Sequence, residues 1–167
     1  MNSRLAPSDR AALDRLVDRL DYPMLIVTAE ADGERAGCLV GFATQCSIEP
    51  PRFLLCISRQ NHTFRVASRA STLVAHLLGP EDGALAALFG EETGDTVDKF
   101  ARCCWAPGPG GPVLEDCRRW FAGRVLNRIE AGDHVAFLVE PFAAAAGPDD
   151  GQLGFQDVRH LRPGHPS

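Results

Sequence analysis

The sequence lacks several features that would assign it directly to a class of protein. None of its six cysteines forms a C-x-x-C pair, the usual signature of zinc and dithiol redox sites. No run approaches about 18 apolar residues, and residues 1–19 are charged throughout, so neither a membrane span nor a signal peptide is predicted. We therefore expect a cytoplasmic protein with reduced thiols, no metal site and no membrane partner.

An excess of positive charge is also absent. Lysine and arginine number 17 against 22 aspartates and glutamates, and the formal net charge of -5 argues against binding to nucleic-acid phosphates. The 167 residues are 45% hydrophobic and 23% charged, which is typical of a soluble globular protein of one domain.

The start of the chain predicts a short amphipathic helix. Leu13, Leu16 and Leu20 recur at spacings of three and four residues after Pro7, and Ser8 is a candidate N-cap. We expect residues 1–21 to pack as a helix on the rest of the protein.

Short strands dominate the remainder. Apolar or alternating runs predict strands at 24–28, 53–58, 72–78, 120–129 and 134–142, and the hairpin-turn signal Ala31-Asp32-Gly33-Glu34 predicts a return strand in the segment 35–48. Helical pieces are predicted at 64–67, 82–89 and 98–100, whereas the loop 107–112, rich in proline and glycine, is not expected to form regular structure. This pattern favours an α+β fold that is mainly β, a small antiparallel barrel with inserted helices.

Several weak motifs follow one another in a fixed order along the chain. They are Gly37, the segment 41–51 with its Ser47-Ile48-Glu49-Pro50-Pro51 turn, the polar run 58–63, Asp98-Lys99-Phe100, the proline- and glycine-rich loop 107–112 and Gly132-Asp133-His134. Together these motifs resemble the flavin reductase family, whose fold is the FMN-binding split barrel. The resemblance covers about residues 22–142. It implies a barrel domain at 22–146 and a C-terminal tail at 147–167.

The resemblance also implies a function. A homodimer would hold FMN near the subunit interface, NADH or NADPH would transfer a hydride to the flavin N5, and the reduced flavin would supply a partner monooxygenase. FAD and the deazaflavin F420 stay open as cofactors, because related barrels use them. A flavin carrier or sensor without turnover, and a flavin- or F420-dependent reductase of an organic substrate, also stay open.

The motifs indicate which residues would form the site. Those expected along the flavin ring are Ala43, Thr44, Gln45, Cys46 and Ser47. Those expected around the phosphate are Ser58, Arg59, Asn61, His62 and Thr63, where hydroxyls, backbone N–H groups, a helix N-terminus and a positive charge coincide. His76 is a further candidate for cofactor binding, and His134 is the candidate catalytic residue.

Plainer structural roles are open for several of these residues. His134 can simply follow a hairpin turn, and Asn61 or Thr63 can cap the helix predicted to start at Phe64. Cys46 is expected to be a small apolar neighbour of the flavin rather than a nucleophile, because no neighbouring base is evident.

Overall fold

A computed structural model describes residues 5–164 of the chain. The expectations for residues 1–4 and 165–167, the outer parts of the predicted helix and tail, lie outside the described residues. The α-helices are α1 Pro7–Val17, α2 His62–Ala67, α3 Gly83–Glu91 and α4 Phe155–Val158, with a 3₁₀ helix at Lys99–Arg102. The strands are β1 Leu25–Ala31, β2 Glu34–Val40, β3 Ala43–Ser47, β4 Arg52–Ser58, β5 Thr72–Leu77, β6 Trp105–Gly108, β7 Gly111–Leu114, β8 Trp120–Ala131 and β9 His134–Ala145.

Seven strands form one antiparallel sheet in the order β2-β1-β5-β8-β9-β4-β3. The first hairpin turns at Asp32 and Gly33, which both have positive φ, as a two-residue turn between twisted strands requires. The sheet curls around one apolar core, because residues from both of its ends, such as Cys38 of β2 and Leu55 of β4, belong to the same buried cluster. The expected mainly β architecture is thus present.

A second buried cluster lies outside the barrel and holds the remaining elements against it. Ile26 on β1, Phe89 on α3 and Leu114 on β7 pack there with Leu153 and Val158 from the C-terminal segment. That segment is therefore more than a tail. Within the described residues it adds a short helix and two buried apolar side chains to the fold.

Two structural expectations are corrected. The loop 107–112 forms the β6–β7 hairpin, in which Pro107 is paired with Pro112. Antiparallel pairs alternate between bonded and non-bonded positions, so two opposed prolines can occupy a pair that needs no N–H donor.

Helix α1 is the other correction. It begins after Ala6 without a side-chain cap, so Ser8 is not its N-cap, and the helix buries none of its residues. The apolar side chains Leu13, Leu16 and Leu20 are exposed rather than packed on the barrel. No helix in the part of the chain that the structure describes has the length and apolar character to span a bilayer.

Candidate functional site

A cavity of about 570 Å³ opens between the barrel and the C-terminal segment. This volume lies in the range of small-molecule and cofactor sites. The barrel contributes Cys38, Leu39, Val40, Gly41, Phe42, Cys56, Ile57, Ser58, Gln60, Asn61, Asp133 and His134. The opposite wall consists of Tyr22, Met24, Phe89, Gly90, Phe155, Val158, Arg159, Leu161 and Pro163.

Aromatic rings form a continuous row that connects the two walls of this cavity. Tyr22 stacks on Phe155 with ring centroids 4.9 Å apart, Phe42 lies 6.0 Å from Tyr22, and His134 lies 5.3 Å from Phe42. The row requires glycine at position 41, because a Cβ there would lie 2.6 Å from the Tyr22 ring. Gly41 and Phe42 lie between the end of β2 and the start of β3. This interruption between the two strands therefore sets the position of Phe42 in the aromatic row.

Polar groups line another part of the cavity, where β4 ends and α2 begins. The Gln60 N–H donates to Ser58 Oγ at 3.3 Å, and the Asn61 N–H donates to the Ser58 carbonyl at 3.0 Å. Asn61 caps α2, since its Oδ1 accepts from the Thr63 N–H at 2.9 Å. The tight turn thereby presents hydroxyl and amide groups of Ser58, Gln60 and Asn61 together to the cavity.

His134 enters the cavity from the turn between β8 and β9. Its Nδ1 lies 2.8 Å from Asp133 Oδ1, and this hydrogen bond together with the histidine charge holds the pKa of the Asp133 carboxyl below its ordinary value. The pairing leaves the Nε2 atom of this half-buried ring for other partners.

The cavity contains no activated nucleophile. Cys56 lines it, but burial raises the pKa of its thiol, and burial raises the pKa of the neighbouring Cys38 to about 11. Both thiols are therefore protonated at neutral pH. Within residues 5–164, no group of three histidine, cysteine or acidic side chains is arranged to hold a metal ion.

A model of the flavin reductase like domain matches residues 17–164. The chain belongs to the flavin reductase family. It is 30% identical to the FMN reductase (NADH) RutF of Variovorax paradoxus (strain S110), over 85% of this chain and 79% of that protein. It is 29% identical to the reductase component of a 4-nitrophenol 4-monooxygenase/4-nitrocatechol 2-monooxygenase of Rhodococcus opacus, over 86% and 76% of the two chains.

Solved structures of flavin reductases share the fold. The NADH:FAD oxidoreductase SgcE6 of Streptomyces globisporus superposes with a TM-score of 0.80 at 22% identity, over 92% of each chain. A flavin reductase domain protein of Arthrobacter also superposes with a TM-score of 0.80, at 21% identity, over 95% of this chain and 96% of that one. The FMN-binding split barrel expected from the sequence is thereby confirmed.

Among the residues predicted for this flavin reductase site, Ser58, Asn61 and His134 line the cavity. Arg59 does not. Its guanidinium pairs with Glu130, and its Nε donates to the Gly132 carbonyl at 3.3 Å. The positive charge of Arg59, which was predicted near the phosphate, therefore lies at the β8–β9 turn.

His62 and Thr63 also lie away from the cavity. His62 is held between Glu34, at 3.1 Å from Nε2, and Asp95, at 3.0 Å from Nδ1, and it lines a separate cavity of about 440 Å³. Thr63 is 1% exposed in the barrel interior. The N-cap residue Asn61 lines the cavity, whereas His62 and Thr63, the first two residues of α2, point away from it.

His76 is a correction with a clear structural cause. The side chain is fully buried, and its Nδ1–H donates to the Ile26 carbonyl at 3.0 Å while Nε2 accepts from the Leu114 N–H at 3.0 Å. Burial lowers its pKa from 6.5 to about 4, against the opposing effect of the Ile26 hydrogen bond. A neutral ring therefore joins β1, β5 and β7, and His76 does not reach the ligand cavity.

The five strand residues predicted along the flavin ring, Ala43, Thr44, Gln45, Cys46 and Ser47, form β3 at the edge of the sheet. None of them lines the cavity, whose strand wall consists of the preceding residues 38–42. Thr44, Gln45 and Cys46 are exposed. The residues that line the cavity on this side therefore lie a few positions earlier in the chain than the predicted flavin contacts.

Sequence reasoning missed the residues that close the cavity from the other side. Tyr22 lies just before β1, and Phe155 and Arg159 lie in the segment described as a tail. Phe155 has a weak signal, an aromatic residue among the small and polar residues 146–157. Arg159 has none, because nothing local distinguishes it from the other arginines.

Proposed function

We propose that this protein is an NADH-dependent flavin reductase that binds FMN in the 570 Å³ cavity and supplies reduced flavin to a partner monooxygenase. The observation that carries the proposal is the combination of an apolar, partly aromatic wall with a cluster of hydrogen-bonding groups at the end of β4. The names of the two relatives, an NADH-dependent FMN reductase and the reductase component of a monooxygenase, support the same reading.

The residues present fit a flavin mononucleotide. Val40, Phe42 and Tyr22 offer apolar surface for the faces of a planar ring, and Ser58, Gln60 and Asn61 offer donors for a phosphate. Bound flavin would supply the hydride-accepting chemistry, for which positioning of the nicotinamide is the main requirement. That chemistry needs no activated nucleophile, which agrees with the raised pKa values of the Cys38 and Cys56 thiols.

His134 is the proposed catalytic residue. Asp133 binds the Nδ1 side of the ring, so Nε2 is the atom that would contact the nicotinamide or the flavin. A hydrogen bond from this position would orient the ligand without accepting or releasing a proton in the hydride step.

We further propose a homodimer that uses the outer face of β3, β4, β9 and β8. Phe53, Leu55 and Ile57 point into the barrel, so Leu54 and Cys56 of β4 point outward, next to Leu138 and Ala136 of β9. The exposed Ile129 of β8, which is opposite Ala136, extends this face, and the exposed Ile48 follows β3 in the chain. Burying this face would bring β3 of one copy close to the cavity region, where the sequence motif places a flavin contact.

The proposed setting is the cytoplasm. All six cysteines are free, which suits a reducing compartment.

The decisive experiment is oxidation of NADH and of NADPH by the purified protein in air, with FMN, FAD or no flavin added. We expect NADH oxidation that increases with added FMN. Flavin binding without oxidation of either nucleotide would contradict a reductase and indicate a carrier. Flavin that stays bound through gel filtration and turns over only with an added organic substrate would contradict supply of free reduced flavin.

A further inference from the structure

Arg159 is the only lysine or arginine that lines the main cavity within residues 5–164. FMN and NADH both carry phosphate groups, which proteins commonly bind through guanidinium groups. Arg59, the arginine that the sequence places at the phosphate, is paired with Glu130 outside the cavity. The cavity therefore has a single fixed positive charge, and the C-terminal segment provides it.

The Arg159 guanidinium is held in position by Gln156. Its Nη1 donates to Gln156 Oε1 at 3.0 Å. The Gln156 amide is itself oriented, because its Nε2 donates to the Asp18 carbonyl at 3.0 Å and to the Leu20 carbonyl at 2.7 Å. The amide oxygen therefore faces Arg159, and one of the five guanidinium N–H groups is used while the others are free for an anion.

The backbone on both sides of Arg159 is also fixed. Before it, the Leu153 N–H donates to the Leu78 carbonyl at 2.9 Å, and the Leu153 carbonyl accepts from the Met24 N–H at 2.9 Å. After it, the Gly164 N–H donates to the Gly90 carbonyl at 3.1 Å. None of the carboxylates that the structure describes lies within ion-pair distance of Arg159, in contrast to the arginines of the α2 region, Arg65 and Arg69.

We propose that Arg159 binds a phosphate group of the ligand, either the FMN phosphate or the pyrophosphate of NADH. The inference rests on the proposed function and adds a binding residue that none of the family motifs in the sequence includes. A guanidinium anchored on one edge presents its other N–H groups to phosphate oxygens without losing further side-chain freedom.

The test uses the full chain and the variants Arg159→Gln, Arg159→Lys and, as a matched control on the same segment, Arg162→Gln. Dissociation constants are measured for FMN and for riboflavin, which lacks the phosphate, from quenching of flavin fluorescence. The KM for NADH is measured with riboflavin as the acceptor, so that no flavin phosphate is present.

If Arg159 binds the FMN phosphate, Arg159→Gln weakens FMN binding roughly 10- to 100-fold and leaves riboflavin binding unchanged. If it binds the dinucleotide, both flavin constants stay unchanged and the KM for NADH rises by a similar factor. In either case Arg159→Lys restores part of the loss and Arg162→Gln behaves as the wild type.

Two other outcomes overturn the inference alone. One is that all constants of Arg159→Gln stay within about twofold of the wild type; the other is that FMN and riboflavin binding weaken equally, which would indicate packing against the ring. A wild-type protein that neither binds flavin nor oxidises NADH would overturn the proposed function, and this inference with it.

Discussion

At the scale of single residues, the two most informative side chains are histidines with opposite environments. His76 is fully buried and both ring nitrogens have backbone partners, whereas His134 is half-buried and shares only Nδ1, with Asp133. A ring whose nitrogens are both occupied stabilises the fold, and a ring with an unshared nitrogen facing a cavity is available to a ligand.

The buried His76 predicts acid sensitivity of the fold. Burial lowers its pKa from 6.5 to about 4, so below pH 6.5 the unfolded chain takes up a proton that the folded protein does not. Its stabilisation is complete above pH 6.5 and is lost as the pH falls toward 4, which corresponds to roughly 3 kcal/mol. The free energy of unfolding in urea, determined at several pH values between 7.5 and 4, measures this loss of stability. His76→Gln should flatten this dependence, whereas the exposed His160→Gln should retain it; equal slopes in all three proteins would contradict the assignment.

The Nε2 atom of His134, which has no hydrogen-bond partner among the described residues, predicts a kinetic effect. We expect His134→Gln to lower kcat/KM for NADH about tenfold, the value of one hydrogen bond to the reacting complex, with flavin affinity nearly unchanged. Steady-state kinetics with NADH varied at saturating FMN measures the ratio. His160→Gln is the control. An unchanged kcat/KM of His134→Gln would mean that His134 contributes only to the structure of the β8–β9 turn.

At the scale of elements, a buried ammonium group joins β2 to α3. Lys99, the only lysine in the sequence, donates from Nζ to the Gly37 carbonyl and to the Phe89 carbonyl, both at 3.1 Å. Burial lowers its pKa, and nearby Cys38 and Glu92 oppose that effect. Leu39 and Gly90, two residues after Gly37 and one after Phe89, line the cavity, so this contact sets the spacing of two cavity walls.

Removal of that ammonium should destabilise the protein. Lys99→Met leaves two buried carbonyls without a donor, and we expect the free energy of unfolding to fall by about 3 kcal/mol. The matched control is Arg102→Met on the same 3₁₀ helix, whose exposed pair with Glu92 contributes little, about 0.5 kcal/mol or less. Urea denaturation followed by tryptophan fluorescence checks both. Equal stability of the two variants would show that the hydrogen bonds of Lys99 do not hold β2 and α3 together.

At the scale of the whole molecule, large apolar side chains are exposed in separate regions of the surface. Ile129 on β8 is 44% exposed, Ile48 just after β3 is 85% exposed, and Leu16 on α1 is 64% exposed. Contiguous exposed apolar patches commonly mark interfaces. The strand residues and α1 are separate in the chain, so variants in each can show which of them forms a dimer interface.

We expect light scattering coupled to gel filtration to give twice the 18.0 kDa mass of one chain. Ile129→Asp should produce a monomer that binds FMN more weakly, because a charge placed in a buried interface costs several kcal/mol. Leu16→Asp should leave the dimer intact. If instead Leu16→Asp dissociates the dimer and Ile129→Asp does not, the interface is on α1.

The sequence by itself determined the class of fold, most of the strands and several of the segments that line the cavity. Alternation along β8 and β9, the Asp32-Gly33 turn and the Asn61 cap are local properties, so residues a few positions apart sufficed to predict them. Ser58, Asn61 and His134, three predicted residues that line the cavity, occur where strands end and turns begin, which is a local property as well.

The tertiary structure alone decided which side chains meet. His76 could not be recognised as structural, because its partners Ile26 and Leu114 are 50 and 38 residues away. Arg159 could not be recognised as the cavity's charge, because its position depends on contacts between residue 156 and residues 18–21. Local patterns specify elements, whereas the burial and pairing of a polar side chain depend on segments that are distant in the chain and adjacent only after folding.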